Sequence, residues 1–303
     1  MSFTLLAFLA AALYALNAPL SKLLLQDVSP TMMAAFLYLG AGVGMLAVGL
    51  IRAFLRRQPF RLHFTRADAP YVAGMTVLDV AAPILLMLGL TRTSSANASL
   101  LNNFEIVATT LFAMLLFREK ISGRLWLAIG LITLSGVLLS LEGGGSLHFS
   151  LGSLLVLLAC ICWGLENNCT RMLSHGDPLE VVVVKGIGSG LGSLLIGLCA
   201  GEPLPAAATM PLILLLGFVA YGLSIYCYVY AQRGLGAAKT SAYYAVAPFI
   251  GVFLSLLIFP GDSQSVIHRR LSADGRGHVA RRTGKMKKGR RDCPRPGGAM
   301  TYP

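Results

Sequence analysis

Long apolar stretches alternate with short polar breaks along most of the chain. An apolar helix of about 17 to 25 residues is long enough to span the hydrocarbon core of a bilayer. Nine stretches of this kind follow one another, and each predicts a spanning helix. They cover residues 3–25, 30–51, 71–90, 95–117, 125–141, 151–169, 181–198, 211–231 and 237–259. The predicted fold class is therefore an all-α polytopic membrane protein.

The composition agrees with this pattern. The 303 residues are 55% hydrophobic and 13% charged, with a mean hydropathy of +0.71, whereas a soluble domain carries about 25% charged residues. An ordinary soluble enzyme is therefore excluded. The first stretch has no basic segment before it and is too long for a cleavable signal peptide, so we expect it to remain as a spanning helix.

Basic residues are concentrated in alternate loops. Lys and Arg in short loops are retained on the cytoplasmic side of a membrane. The opposite loops contain only Lys22 and Arg92. We therefore expect an integral protein of a bacterial cytoplasmic membrane, with its amino terminus in the cytoplasm. The basic residues of the predicted cytoplasmic loops are Arg52, Arg56, Arg57, Arg61, Arg66, Arg118, Lys120, Arg124, Arg171, Arg233 and Lys239.

The segment after residue 260 does not obey this rule. Of the formal net charge of +12, a net of +8 lies in residues 262–303, where 11 Lys and Arg accompany 3 acids. Nine crossings from a cytoplasmic amino terminus would leave this segment outside. Two explanations stay open: a frame shift that replaces a tenth helix, or a true basic, disordered tail. Translation of the other two reading frames around codon 260 distinguishes them.

The two halves of the chain carry similar elements in the same order. Ala98-Ser99 and the run 111–117 match Thr240-Ser241 and the run 253–259 at a constant offset of 142. Five crossings in a full copy is an odd number, so the second copy would be inverted relative to the first. The predicted domains are a first repeat over 1–142, a second, four-helix repeat over 150–260, and a tail over 261–303. Inverted repeats recur in secondary transporters.

Several motifs occur in a fixed order within these two copies. They are Tyr14-Ala15-Leu16-Asn17-Ala18-Pro19 and its partner Trp163-Gly164-Leu165-Glu166-Asn167 at an offset of 149, Thr93-Ser94-Ser95-Ala96, Asn102-Asn103-Phe104-Glu105, Phe117-Arg118-Glu119-Lys120 and Ala247-Pro248-Phe249. In these motifs the chain resembles the drug/metabolite transporter superfamily of the EamA type, over about residues 5–260.

This resemblance implies ten helices in two inverted five-helix repeats, and export or exchange of amino acids, metabolites or drugs, often driven by ions. The chain departs from the family in two places. No arginine occurs near Leu37 in the second helix, although Lys185 takes the equivalent position in the seventh. The tenth helix is absent.

Four ionisable residues interrupt the apolar stretches: Asp79, Glu105, Glu166 and Lys185. An ionisable side chain at the centre of a spanning helix costs roughly 2.5 to 3.5 kcal/mol on insertion scales, so each one is a functional candidate. Glu105 is the strongest, because Asn102 lies three residues earlier and would share its helix face. We expect Glu105 to bind a proton or another cation. A protonated Glu105 hydrogen-bonded between helices is the alternative.

The other polar positions allow two interpretations each. Glu166 with Asn167 and Asn168 would bind a zwitterionic or hydroxylated solute, or would simply meet headgroup water. Lys185 lies about one turn into its predicted helix, which favours an amine that extends to the interface. Asp79 lies deeper, and the sequence alone assigns it no partner.

The fourth helix and its second copy, the ninth helix, add polar and aromatic candidates. Asn102 and Asn103 occupy one side of the expected site, and Tyr244 lies in the ninth helix beside Tyr243. Pro248 would open that helix near a cavity or produce a simple kink. The spacings Gly40-x-x-x-Gly44 and Gly186-x-x-x-Gly190 predict close helix contacts.

No phosphate-binding loop, zinc motif or nucleophile elbow occurs, so we expect neither an enzyme nor a cofactor or metal site. The leading hypothesis is a secondary carrier, an exporter or exchanger that works by alternating access. Its expected partners are a small-molecule solute, membrane lipid and a coupling ion, proton or sodium, without nucleic acid. The alternative is a non-transporting membrane scaffold or a truncated remnant of a carrier.

Overall fold

The structure is a computed structural model that describes residues 2–57, 62–142 and 150–258. Within these ranges all regular elements are helices, which confirms the predicted fold class. The basic segment 261–303 lies outside the described residues. The helices are α1 Phe3–Leu24, α2 Pro30–Arg56, α3 Ala69–Arg92, α4 Ser95–Leu115, α5 Gly123–Glu142, α6 Leu151–Leu173, α7 Pro178–Cys199, α8 Met210–Leu235 and α9 Ala237–Ile258.

Each predicted apolar stretch falls within one of these helices, apart from a few end residues. Eight of the described helices, α1–α4 and α6–α9, are long and apolar enough to cross a membrane. Several continue past the apolar stretch into polar residues: α2 ends at Arg56, and the next residue, Arg57, adopts a left-handed conformation with φ 52°. A helix can continue through a charged residue that reaches the interface, so apolar residues alone underestimate its length.

Local caps account for several of the helix starts. The side chains of Ser94 and Ser150 accept hydrogen bonds from the first turns of α4 and α6, and Asp177 does the same for α7. These residue types satisfy amide groups that the first turn leaves without partners. Before α3, Asp68 accepts two hydrogen bonds of 2.8 Å from Thr65, and these bonds lower the pKa of this exposed carboxyl.

Three spanning helices are interrupted near their middle. The interruptions separate Tyr14 from Asn17 in α1, Leu101 from Phe104 in α4, and Tyr244 from Ala247 in α9. Irregular backbone at membrane depth is tolerated where it is covered by protein or lines a cavity. The breaks in α4 and α9 lie 143 residues apart (residues 102–103 and 245–246), close to the repeat offset of 142.

Proline chemistry accounts for two of these breaks. Pro19 and Pro248 carry no backbone N–H, so the carbonyls four residues earlier lose their helical partner. The break in α4 contains Asn102 and Asn103, and asparagine is a poor helix former. Glu105 therefore begins a new helical segment, and its side chain lines the same small cavity as that of Asn102.

Glycines bring α2 close to α7 and α8. A Cβ atom on Gly42 would lie 2.5 Å from the amide nitrogen of Ile187, and one on Gly186 would overlap Gly42 in turn. On another side of α2, Gly40 lies against the backbone of Leu214. The close helix contacts expected from the glycine spacings are confirmed. They place α2 and α7 side by side, so that residues on both reach the same interior volume.

At each end of the helices, ion pairs or hydrogen bonds connect neighbouring polar segments. At one end Arg52 pairs with Asp177 at 3.0 Å, and Arg171 pairs with Glu119 at 3.7 Å. These contacts join the last turns of α2 to the α6–α7 loop, and the α4–α5 loop to α6. The predicted basic loops therefore lie together. At the opposite end, Glu202 accepts a hydrogen bond of 3.0 Å from the amide of Met32.

Candidate functional site

A buried ion-pair cluster lies where α3, α6 and α7 meet. The Lys185 Nζ atom is 3.0 Å from Asp79 Oδ2 and 2.8 Å from Glu166 Oε1. The three side chains are only 5%, 0% and 1% exposed. Removing charged groups from water is costly unless they are paired and hydrogen-bonded. Pairing explains how one base and two acids are accommodated at this depth.

Neutral donors complete the contacts of both carboxylates. Tyr38 Oη and Trp163 Nε1 donate to Asp79 Oδ1 at 3.0 and 3.1 Å. The hydroxyl of Thr170 donates to Glu166 Oε1 through a short hydrogen bond. Hydrogen bonds to an ionised acceptor are stronger than those between neutral groups. The arrangement therefore places hydrogen-bond donors against both carboxyl groups on this side of the interior.

For Lys185 and for Glu166, the structure contradicts one of the two interpretations that the sequence left open. Lys185 does not extend to the interface, because α7 begins at Pro178 and places it about two turns inside the helix. Glu166 does not meet headgroup water, since it is 1% exposed and packs beneath neighbouring helices. Asp79, which had no assigned partner, is the second carboxylate bound to Lys185.

Glu105 occupies the other side of the same interior. It lies in the first turn of the second α4 segment, where a helix favours negative charge. Its Oε1 atom accepts a hydrogen bond of 2.8 Å from Asn167 Nδ2, which also donates to Thr109 Oγ1 at 3.2 Å. Among the described residues, Glu105 forms no ion pair. Two predicted residues, Glu105 and Asn167, thus meet across α4 and α6.

The remaining asparagines differ in their roles. Asn103 is 2% exposed and neither of its amide atoms has a hydrogen-bond partner. It lines a small cavity of about 20 Å³ together with Asn102, Glu105 and Tyr244. Asn168 instead donates to two backbone carbonyls, one of α4 and one of α6, at 3.0 and 2.9 Å. Asn103 therefore faces the site, whereas Asn168 joins two helices.

A cavity of about 40 Å³ separates the two sides. This volume has room for on the order of three water molecules. Its walls are mainly aromatic, with two carboxylates, one amide and one amine among them. The lining residues are Tyr14, Tyr38, Glu105, Trp163, Glu166, Asn167, Lys185, Tyr221, Ile225, Tyr228 and Tyr244.

The aromatic rings form a connected group around this cavity. Tyr14 is central, with ring centroids 6.3 Å from Trp163, 5.7 Å from Tyr221 and 5.6 Å from Tyr244. Tyr228 lies 5.0 Å from Tyr244. Of these rings only Tyr244 was predicted as a site residue. Tyr14 and Trp163 occupy matching positions in the two copies, and that correspondence was the available signal.

The chain matches the sequence model of the EamA-like transporter family twice, over residues 1–141 and 150–263. Together these segments cover most of its length. The chain belongs to the EamA-like transporter family. It is therefore an integral membrane protein of a transporter family, as the resemblance implied.

Relatives of this EamA-like protein come from bacteria and archaea. An uncharacterized transporter of Methanothermobacter thermautotrophicus is 26% identical, covering 82% of this chain and 77% of the relative. The uncharacterized inner membrane transporter YedA of Escherichia coli K12 is 25% identical, covering 74% and 72%. One crystal structure superposes with a TM-score of 0.68 at 19% identity, covering 84% of this chain and 89% of that one. That similarity shows the shared fold.

A wider cavity of about 810 Å³ lies at the end that contains the basic loops of this EamA-like chain. Two contacts at its rim connect the α2–α3 loop to α7. The amide and the Nδ1 atom of His63 lie 2.8 and 2.7 Å from the two carboxylate oxygens of Glu180. Arg233 adds a hydrogen bond of 2.9 Å to the Ser174 carbonyl and another to that of Gly176. These contacts connect α8 and the α2–α3 loop to the start of α7.

Proposed function

We propose that this protein is a secondary transporter that moves a small polar or amphipathic solute by alternating access, as an exporter or exchanger. The observation that carries this proposal is the central cavity lined by Lys185, Glu166 and Glu105. An ionisable cluster at membrane depth is costly to keep and is typical of a substrate or ion pathway. Interrupted helices border the same volume, as they do in many carriers.

The helix contacts support two inverted repeats, over residues 1–142 and 150–260. Exchanging the halves replaces α1 by α6, α2 by α7, α3 by α8 and α4 by α9. The contact between α3 and α6 then becomes the contact between α8 and α1, and both are extensive. The α2–α7 and α4–α9 contacts map onto themselves. A site between such halves can open to either side by their rocking.

Glu105 is proposed as the site of the coupling ion, a proton or sodium. It has one amide donor and no ion pair among the described residues, so its charge is available to a mobile cation. Asn102, Asn103, Asn167 and Tyr244 are proposed to contact the solute. The Lys185 cluster is proposed to join the helices that bound this pathway.

The basic loops give the proposed orientation. Lys and Arg residues of short loops are retained in the cytoplasm. The end that contains the basic loops and the 810 Å³ cavity would therefore face the cytoplasm, and the amino terminus would lie on the same side. The proposed location is a prokaryotic cytoplasmic membrane, where YedA of Escherichia coli is named as an inner membrane transporter.

Solute counterflow in proteoliposomes tests this function. Vesicles containing the full chain would be loaded in parallel with an amino acid, a carboxylate, an amine or a neutral aromatic, and uptake of the labelled solute would be followed. We expect counterflow of at least one class, and accumulation when a proton or sodium gradient is imposed. Absence of exchange for every class would contradict the proposal and favour the non-transporting scaffold.

The variant Glu105→Gln tests the coupling role. Loss of the carboxylate should abolish gradient-driven accumulation while the protein remains folded. Asp27→Asn is the matched control, because it makes the same chemical change at an exposed position beyond α1. Undiminished accumulation by Glu105→Gln would remove Glu105 from the coupling role.

A further inference from the structure

The charges around the central cavity do not balance. Asp79 and Glu166 share the single amine of Lys185, at 3.0 and 2.8 Å. Glu105, on the opposite wall, has no basic partner among the described residues and receives only the amide of Asn167. With all groups ionised, the site contains three carboxylates and one ammonium. An uncompensated charge at this depth is costly, and either a proton or a ligand of opposite sign removes that cost.

The walls next to Glu105 are aromatic. Tyr14, Trp163, Tyr221, Tyr228 and Tyr244 all line the same cavity as its carboxylate. Their ring centroids form a chain of contacts of 5.0 to 6.3 Å. Aromatic faces attract cations, and several rings arranged around one volume are the usual means of binding an ammonium group. Such walls also suit the apolar body of an organic ion.

A second, independent feature points to a ligand with hydrogen-bond donors. The side chain of Asn103 is 2% exposed, has no hydrogen-bond partner and borders the smaller cavity of about 20 Å³, which Glu105 and Tyr14 also line. The hydroxyl of Tyr14 is also buried without one. A buried polar atom without a partner loses the free energy of its hydrogen bonds to water. The N–H groups of an ammonium would supply partners to the Asn103 carbonyl and the Tyr14 oxygen.

We propose that the solute class of this transporter is an organic cation: a protonated amine whose charge contacts Glu105, alternately with the coupling ion, within the Tyr14, Trp163 and Tyr244 rings. This inference rests on the proposed function and names the substrate of that same site. Lys185 is held by its two carboxylates and is not available to bind an anionic solute. The cavity of about 40 Å³ is smaller than an organic amine, so the rings have to separate when a solute enters.

Binding to the purified full chain tests the charge preference directly. The protein has two tryptophans, and Trp163 lines the cavity. In a Trp126→Phe background, Trp163 fluorescence reports ligands at the site. The probes are tetramethylammonium, phenethylammonium, 2-phenylethanol and 3-phenylpropanoate; the last three share one aromatic body and differ in charge. We expect saturable responses to both ammonium ions, with phenethylammonium binding on the order of tenfold more tightly than the alcohol.

The variant Glu105→Gln identifies the group responsible. It should reduce phenethylammonium affinity on the order of tenfold and leave alcohol binding unchanged, whereas Asp27→Asn should change neither. If Glu105→Gln fails to fold, the comparison of amine and alcohol binding to the unmodified protein still tests the inference. Equal binding of amine and alcohol, stronger binding of the carboxylate, or no response to either ammonium ion would overturn the inference.

Counterflow separates this inference from the function on which it rests. Exchange of carboxylates or zwitterions, without exchange of amines, would overturn the cationic substrate and leave transport intact. No exchange of any solute would overturn transport, while the fluorescence response to the ammonium ions would still be measured. Exchange of phenethylammonium that depends on Glu105 would support both.

Discussion

The two sides of the central cavity differ in how their charges are satisfied. On the side of α3, α6 and α7, Lys185 joins two carboxylates, and Tyr38 and Trp163 bind one of them. On the side of α4 and α9, Glu105 has only an amide donor and Asn103 has none. Continuous helices build the first side, and interrupted helices build the second.

Buried polar groups therefore have two different roles on the two sides of the cavity. A cluster whose members satisfy one another gains little from a ligand and holds three helices in register. A carboxylate beside unsatisfied groups and broken helices can gain contacts when a solute arrives. The two sides should therefore respond differently to substitution: the first in stability, the second in transport.

The largest stability effect is expected from Lys185→Met. This change leaves two buried carboxylates without their cation, and removal of one partner from a buried ion pair costs about 3 to 5 kcal/mol. Thermal unfolding in detergent should show a strongly lowered Tm. The triple variant that adds Asp79→Asn and Glu166→Gln should recover much of this loss, because no charge is then left uncompensated. Glu105→Gln is the control on the other side, with an expected change below about 1 kcal/mol.

A matched pair of tyrosines should give the next effect. Tyr38→Phe removes the hydroxyl that donates to Asp79 at 3.0 Å, and a hydrogen bond to a charged group contributes about 1.5 to 3 kcal/mol. Tyr14→Phe removes a hydroxyl that has no hydrogen-bond partner, so its stability should remain within about 0.5 kcal/mol. Equal Tm losses for the two variants would contradict the distinction between the two sides.

The membrane-spanning segments could be predicted because apolarity is a property of each stretch by itself. Each predicted stretch lies in a helix, whereas the ends were underestimated where helices continue to Arg56 and Leu235. An opening or a kink of α9 at Pro248 was predicted, but the break in α4 was not, since asparagines in an apolar run allow either a break or a continuous helix. Which outcome occurs depends on the neighbouring helices.

The site residues could also be selected by chemistry, but their pairings could not. Asp79, Glu166 and Lys185 were found because ionisable groups are rare at membrane depth. Their meeting depends on the rotation of α7 about its axis, which the contact between Gly42 and Gly186 determines. A sequence pattern carries no information on that rotation. For the same reason most of the aromatic lining was missed.

A small effect is also expected at a surface ion pair that has the same length as one in the cluster. Arg52 and Asp177 lie 3.0 Å apart, as Lys185 and Asp79 do, but their side chains are 42% and 31% exposed. Water screens such a pair, so Arg52→Gln should cost less than about 1 kcal/mol in thermal unfolding. After Arg52→Gln, water still surrounds the carboxylate of Asp177. After Lys185→Met, the buried carboxylate of Asp79 would have neither water nor its cation. A loss comparable to that of Lys185→Met would show that burial does not explain the difference between the pairs.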